Sequence, residues 1–192
     1  MTDERGTASS AWIPTTPTSP ASWDRKLDYL EAELEHGDAT IPLFHHPAGD
    51  VALLTGFPPG LVGLGIPDAA RFRELVSRYA NVAGVYNGHT HRNYRTVATD
   101  TGDVPYFEGG AVKEYPGGYT TVRLYEGGYM VNFWKTKDPA ARAWSELSRG
   151  EYLGLYPYYT LGSLEDRNWV HAFDASRRRR RYVQSSGVLA DR

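Results

Sequence analysis

"GVYNGHTHRN", residues 84–93, places two histidines, His89 and His91, one residue apart, straight after an apolar run and a glycine. "PLFHHPAGD", residues 42–50, does the same with His45 and His46. Four of the six histidines in the chain fall in these two segments. Outward from them, "ATIPLF" (39–44) and "VAGVYNG" (82–88) read as short buried strands that end where the histidines begin. "SWDRKLDYLEAELEHG" (22–37) carries Trp23, Leu27, Leu30 and Leu34 on one helical stripe, with Ser22 as the N-cap and Gly37 as the stop. "IPDAARFRELVSRYA" (66–80) predicts a second amphipathic helix, with Phe72, Leu75, Val76 and Tyr79 on one face and Pro67 near its first turn. Helix, strand, helix, strand makes an α/β layer the simplest arrangement. Both histidine groups then lie just past strand ends, where open α/β sheets bind ligands.

After Asn93 the pattern changes to alternating apolar and polar residues around glycine turns. "RTVATD", "VPYFEGG", "YTTVRLYEGGYMVNFWK" and "YYTLG" read as β segments, the clearest being a hairpin from Tyr119 to Lys135 around Glu126-Gly127-Gly128. "DPAARAWSELSRG" (138–150) predicts a short helix between them. Residues 1–21, rich in Thr, Ser and Pro, read as a flexible lead-in, and 47–65, with several glycines and prolines, as loop. No internal repeat is evident. The five arginines at 177–181 read as part of a solvated basic tail rather than a phosphate grip, because nothing near them supplies a folded basic face.

Bulk composition excludes several classes. The chain has 192 residues, 41% of them hydrophobic and 23% charged, which suits one globular domain with a real core. A net charge of -2 gives no broad attraction to nucleic acid or anionic membrane, so neither is expected as a partner. No apolar run approaches the roughly 18 residues of a membrane span. The N-terminal "MTDERGTASSAW" lacks the basic and apolar regions of a signal peptide, so the chain as given reads as cytoplasmic or as cut from a larger precursor. It has no cysteine. Disulfides, thiolate nucleophiles and cysteine-held metals are therefore excluded, and any metal must be held by imidazole nitrogen and by oxygen, a donor set suited to Zn, Mn, Fe or Co.

A Gly-His-x-His turn arises by chance in roughly 2 of 100 chains of this composition. Its setting gives it meaning. Two strand-end histidine groups on neighbouring strands, about 4.8 Å apart, can converge on a metal. "NGHTHR" after a strand, preceded by "LFHHP" after a strand, resembles the C-terminal half of the calcineurin-like metallophosphoesterases. The resemblance covers about residues 22–135 and includes the order of elements. It implies an α/β fold, part of a two-sheet sandwich flanked by helices, with an antiparallel β-rich C-terminal part. It also divides the chain into a lead-in (1–21), the family's C-terminal half (22–135), an extension (136–176) and a basic tail (177–192).

The resemblance further implies a metal-dependent phosphoester hydrolase, of the phosphodiesterase kind, with two divalent or trivalent ions (Mn, Fe, Zn or Co). His45 and His89 would ligate one ion and His91 the other, with His46 at most supporting them. Such ions, about 3.5–4 Å apart, polarise the phosphoryl oxygens and acidify the attacking water. His36 and His171 read as structural, and Tyr86 and Asn87 as strand residues.

The family's N-terminal motifs are not in the chain. There is no Asp-x-His and no Gly-Asn-His, and the Gly-Asp pairs at 37–38, 49–50 and 102–103 stand in the wrong order relative to the histidines. Without a bridging carboxylate two dications repel strongly. The strand before His45 would also lack its neighbour and leave an apolar edge. The expectation is a C-terminal portion, weakly active alone and completed by a separate chain, or a decayed copy. Two other classes stay open: a binding or scaffold protein working through its aromatic β part, with 14 Tyr in the chain, and a mononuclear enzyme using His45, His89 and His91 on one ion.

Overall fold

The computed structural model describes residues 20–37, 39–45 and 69–173. The expected lead-in up to residue 19, the 47–65 loop, His46, Pro67 and the arginine run lie outside them.

Helix α1 (Pro20–Glu35) turns Leu27, Leu30 and Leu34 into the core. It begins two residues before Ser22, so Ser22 sits inside the first turn rather than capping it. Pro20 suits that start, since a first-turn residue needs no donor and proline's fixed φ is already helical. At the other end Gly37 adopts φ 83 and donates to the Leu34 carbonyl (3.1 Å), the left-handed closure that glycine allows at no steric cost. Helix α2 (Ala69–Arg78) buries Phe72, Leu75 and Val76, followed by buried Tyr79, the face its spacing predicts.

Between and after the helices runs a four-stranded sheet: β1 (Leu43–Phe44), β2 (Val85–Asn87), β3 (Tyr94–Ala98) and β4 (Val104–Glu108), in spatial order β1-β2-β4-β3. β1, β2 and β4 are parallel, and β3 returns antiparallel along β4. β1 is the outermost strand on its side among the described residues. A second sheet is antiparallel, with order β5-β6-β7: β5 (Gly118–Tyr125) and β6 (Gly128–Lys135) form the expected hairpin, and β7 (Asn168–Ala172) pairs with β6. The two sheets and the helices make a mixed α/β molecule.

Strand alternation builds the layers. Val85 and Tyr106 face α1 and α2, in one cluster with Phe44, Leu27, Leu30, Phe72 and Leu75. Their neighbours Tyr86 and Phe107 face the second sheet, packing with Tyr129, Val131 and Trp169. Helices, first sheet and second sheet are thus stacked in that order. Tyr129 crosses between the sheets to donate to the Ala83 carbonyl (2.9 Å). A Cβ on Gly84 would come within 2.6 Å of that Tyr129 hydroxyl, so glycine there lets the sheets close.

From 136 onward the chain is short helices plus β7. Helix α3 (Pro139–Glu146) is capped by Asp138, whose carboxylate accepts from the Ala141 N–H (2.8 Å). α4 (Glu151–Gly154), α5 (Tyr156–Thr160) and α6 (Leu164–Arg167) follow. "YYTLG", expected as a strand, instead contains the end of α5. Pro157 at its first turn presets a helical φ, and Tyr156 and Thr160, four apart, are its buried face. No helix among the described residues is long and apolar enough to cross a membrane.

Candidate metal-ligand site

The parallel pairing of β1 with β2 brings the two histidine segments together. Leu43 pairs with Tyr86 and Phe44 with Asn87, and the ladder runs one step further through Gly88 N–H to the His45 carbonyl (3.1 Å). His45 and His89 therefore leave the same end of neighbouring strands.

The turn that follows is unusual. His89 has φ 68 and His91 φ 57, both in the left-handed region. Thr90 N–H donates to the Gly88 carbonyl (2.8 Å), closing a three-residue turn around His89. Non-glycine residues held there cost about 1–2 kcal/mol each, so the surroundings must over-determine them. They do so through the residues between. Thr90 donates to the Glu108 carboxylate (2.5 Å), and Arg92 holds the same carboxylate by two bonds of 2.8 Å. That pair is nearly inaccessible, at 6% and 3% exposure, and the Arg92 guanidinium lies 4.1 Å from the Tyr94 ring centre. Asn93 is gripped next: its backbone and side-chain amides both donate to the Thr160 carbonyl (3.0 and 3.1 Å). Thr90 and Arg92 point inward and His89 and His91 are left at the surface, half-buried.

There the structure brings together the two imidazoles that the resemblance assigns to one ion. His45 Nε2 and His89 Nδ1 stand 3.1 Å apart, with ring centres at 4.9 Å and planes at 71°. Two imidazole nitrogens each about 2.1 Å from one ion lie roughly 3.0 Å apart at a right angle and roughly 3.4 Å apart at the tetrahedral angle. The observed spacing, that of a hydrogen bond between the two rings, falls between these, so in distance the pair matches two adjacent ligand positions. His91 is directed elsewhere: its Nδ1 meets Glu114 Oε2 at 2.6 Å, an oxygen it shares with the Tyr156 hydroxyl. Among the described residues no three His, Asp or Glu side chains gather at distances that hold one ion. The described site is a two-imidazole pair beside a carboxylate-bound third imidazole.

Burial alone would push the Glu114 carboxyl up. Hydrogen bonds from Tyr156, His91 and Lys113 outweigh it and hold that carboxyl below the usual range, so it is an anion at neutral pH. Burial, and then the bond to Glu114, push the Tyr156 hydroxyl up, so it stays protonated and donating.

Sequence reasoning did not reach Glu108, Arg92, Glu114 or Tyr156. Glu108 had a signal, since an acid closing the apolar "VPYFE" strand must find a buried partner. Glu114, in "KEYP", had none. Of the two histidines read as structural, His36 is exposed with its Nδ1 at 2.7 Å from the Ala32 carbonyl, and His171 packs on Tyr129 and Trp169. Tyr86 and Asn87 are buried in β2.

No known protein family and no curated protein matches the chain.

Proposed function

We propose that the chain is a metal-dependent phosphoester hydrolase, most like the phosphodiesterases of the calcineurin-like superfamily, carrying the C-terminal part of that fold's two-sheet sandwich. The observation that carries this reading is the His45–His89 pair, whose nitrogens stand at ligand spacing at the ends of parallel strands. Strain supports it as well: a backbone held at positive φ on two consecutive alternate histidines is retained where function needs it.

His45 and His89 would hold one ion, and His91, through Nε2, would face a second. When bound, the ions supply Lewis acidity toward the phosphoryl oxygens, and Zn, Mn, Fe or Co suits the donor set. The chain's own residues supply orientation. β1 and β2 fix the imidazole pair, and the Arg92–Glu108 pair fixes the turn that presents His89 and His91. Among the described residues, two imidazoles are an incomplete coordination sphere. The missing oxygen ligands would come from a separate chain carrying the superfamily's N-terminal motifs and from the phosphoester itself.

One observation favours a second reading, a binding or scaffold protein that retains the fold without turnover. The outer face of the second sheet exposes Tyr119, Tyr125 and Trp134, at 50%, 59% and 45%. The mononuclear three-imidazole enzyme has no such support, because among the described residues His91 does not gather with His45 and His89 at distances that hold one ion.

Metal stoichiometry separates the readings, with hydrolysis of bis(p-nitrophenyl) phosphate in Mn²⁺ as the activity arm, measured with and without a co-expressed N-terminal half. The hydrolase reading predicts metal uptake that His45→Ala and His89→Ala each lower without unfolding the chain, and hydrolysis by the reconstituted pair that His89→Ala removes. No hydrolysis by that pair, or a rate unchanged in His89→Ala, contradicts it. No metal uptake at all supports the scaffold.

A further inference from the structure

We propose that Glu114, locked in place by Tyr156, is the positioning residue that fixes His91 as its Nδ1–H tautomer and presents Nε2 outward as the ligating nitrogen. This rests on the ligand role given to His91 above.

A carboxylate only accepts hydrogen bonds, so the 2.6 Å contact with His91 Nδ1 requires the proton to sit on that nitrogen. A neutral imidazole protonated at Nδ1 has its lone pair on Nε2, the only position from which it can bind an ion. The ring nitrogen that a metal-ligating histidine does not use commonly donates to a carboxylate in this way, which fixes both tautomer and ring rotation.

Glu114 is itself prevented from swinging away. Its Oε2 also accepts from the Tyr156 hydroxyl, and its Oε1 faces Lys113 Nζ at 3.2 Å. Tyr156 is buried and begins α5, the helix whose Thr160 carbonyl holds Asn93. One short helix therefore sets both the orienting carboxylate and the far end of the histidine turn. The segment after residue 135, which the resemblance leaves without a role, thereby acquires one: it aims His91.

The test is a long-range ¹H–¹⁵N correlation spectrum of the full chain, metal-free at pH 8, followed by Zn²⁺ titration read at the His91 ring nitrogens. The expected result is Nδ1–H in the wild type and in Glu114→Gln, which keeps an accepting oxygen, and a shift toward Nε2–H in Glu114→Leu. The Zn²⁺ concentration that moves the His91 Nε2 resonance should rise roughly 10–100-fold in Glu114→Leu and much less in Glu114→Gln. If Glu114→Leu does not fold, Tyr156→Phe tests the same lock, with an expected several-fold rise.

Nε2–H in the folded wild type, or a tautomer unchanged in Glu114→Leu, overturns the proposal. Zn²⁺ uptake at His45 and His89 together with the wrong His91 tautomer overturns this inference alone. Failure of the wild type to take up Zn²⁺ at any histidine, with His91 correctly Nδ1–H, overturns the hydrolase reading and with it the ligand role of His91.

Discussion

His89 and His91 are held at positive φ without the glycine that would make it easy. The strain belongs to the backbone and the value to the side chain, so the two can be separated. His89→Gly should fold more stably than His89→Ala by about 1 kcal/mol, since only glycine adopts this φ without a Cβ clash. Both variants should lose metal uptake equally. Urea denaturation beside a metal assay checks this, and equal stability of the two variants would mean that the turn is not strained. That strain was not legible in "GHTHRN". The sequence displayed the histidines and their spacing, but a left-handed histidine is imposed by what Thr90, Arg92 and Asn93 reach, and those partners lie 18, 16 and 67 positions away. Glu114 was invisible for the same reason.

Among the elements, the end of β4 carries the most. Glu108 closes the strand beside Asn87 and takes bonds from both Thr90 and Arg92. Arg92→Met leaves a buried carboxylate without its cation and should cost about 3–5 kcal/mol, measured by urea denaturation. Adding Glu108→Gln should recover part of that loss, because the remaining group is no longer charged. A loss under about 1 kcal/mol would place the pair in water. Element identity was legible wherever burial is one-sided: α1, α2 and the 118–135 hairpin follow their spacing because each has one wet face. It failed where a segment is a single turn long. "YYTLG" reads equally as alternation or as a helical turn, and Pro157 decides it for helix. β7 starts directly from α6 with no turn residue to announce it.

Over the whole molecule, the stack of helices, first sheet and second sheet leaves the second sheet's inner strands to be sealed by aromatic side chains. His171 on β7 is one of them. Burial, and then Arg95 nearby, hold its pKa below the usual 6.5. The unfolded chain therefore binds this proton more readily than the folded one. Stability is fully present above about pH 6.5 and declines as pH falls from there toward the depressed folded value. His171→Phe should flatten that part of the denaturation profile, and a slope unchanged in the variant would remove His171 as its source. The α/β class was legible from the order of elements. The assignment of faces was not, since β2 is buried on both sides and its "VYN" gives no alternation to read.

The central claim is that His45 and His89 are a ready-made pair of metal ligands, and anomalous X-ray scattering from crystals soaked in Zn²⁺ or Mn²⁺ tests it most directly. A single anomalous peak about 2.1 Å from both His45 Nε2 and His89 Nδ1, with the rings unmoved, is the predicted result. Rings still hydrogen-bonded to each other at saturating metal, with every anomalous peak elsewhere, would contradict it.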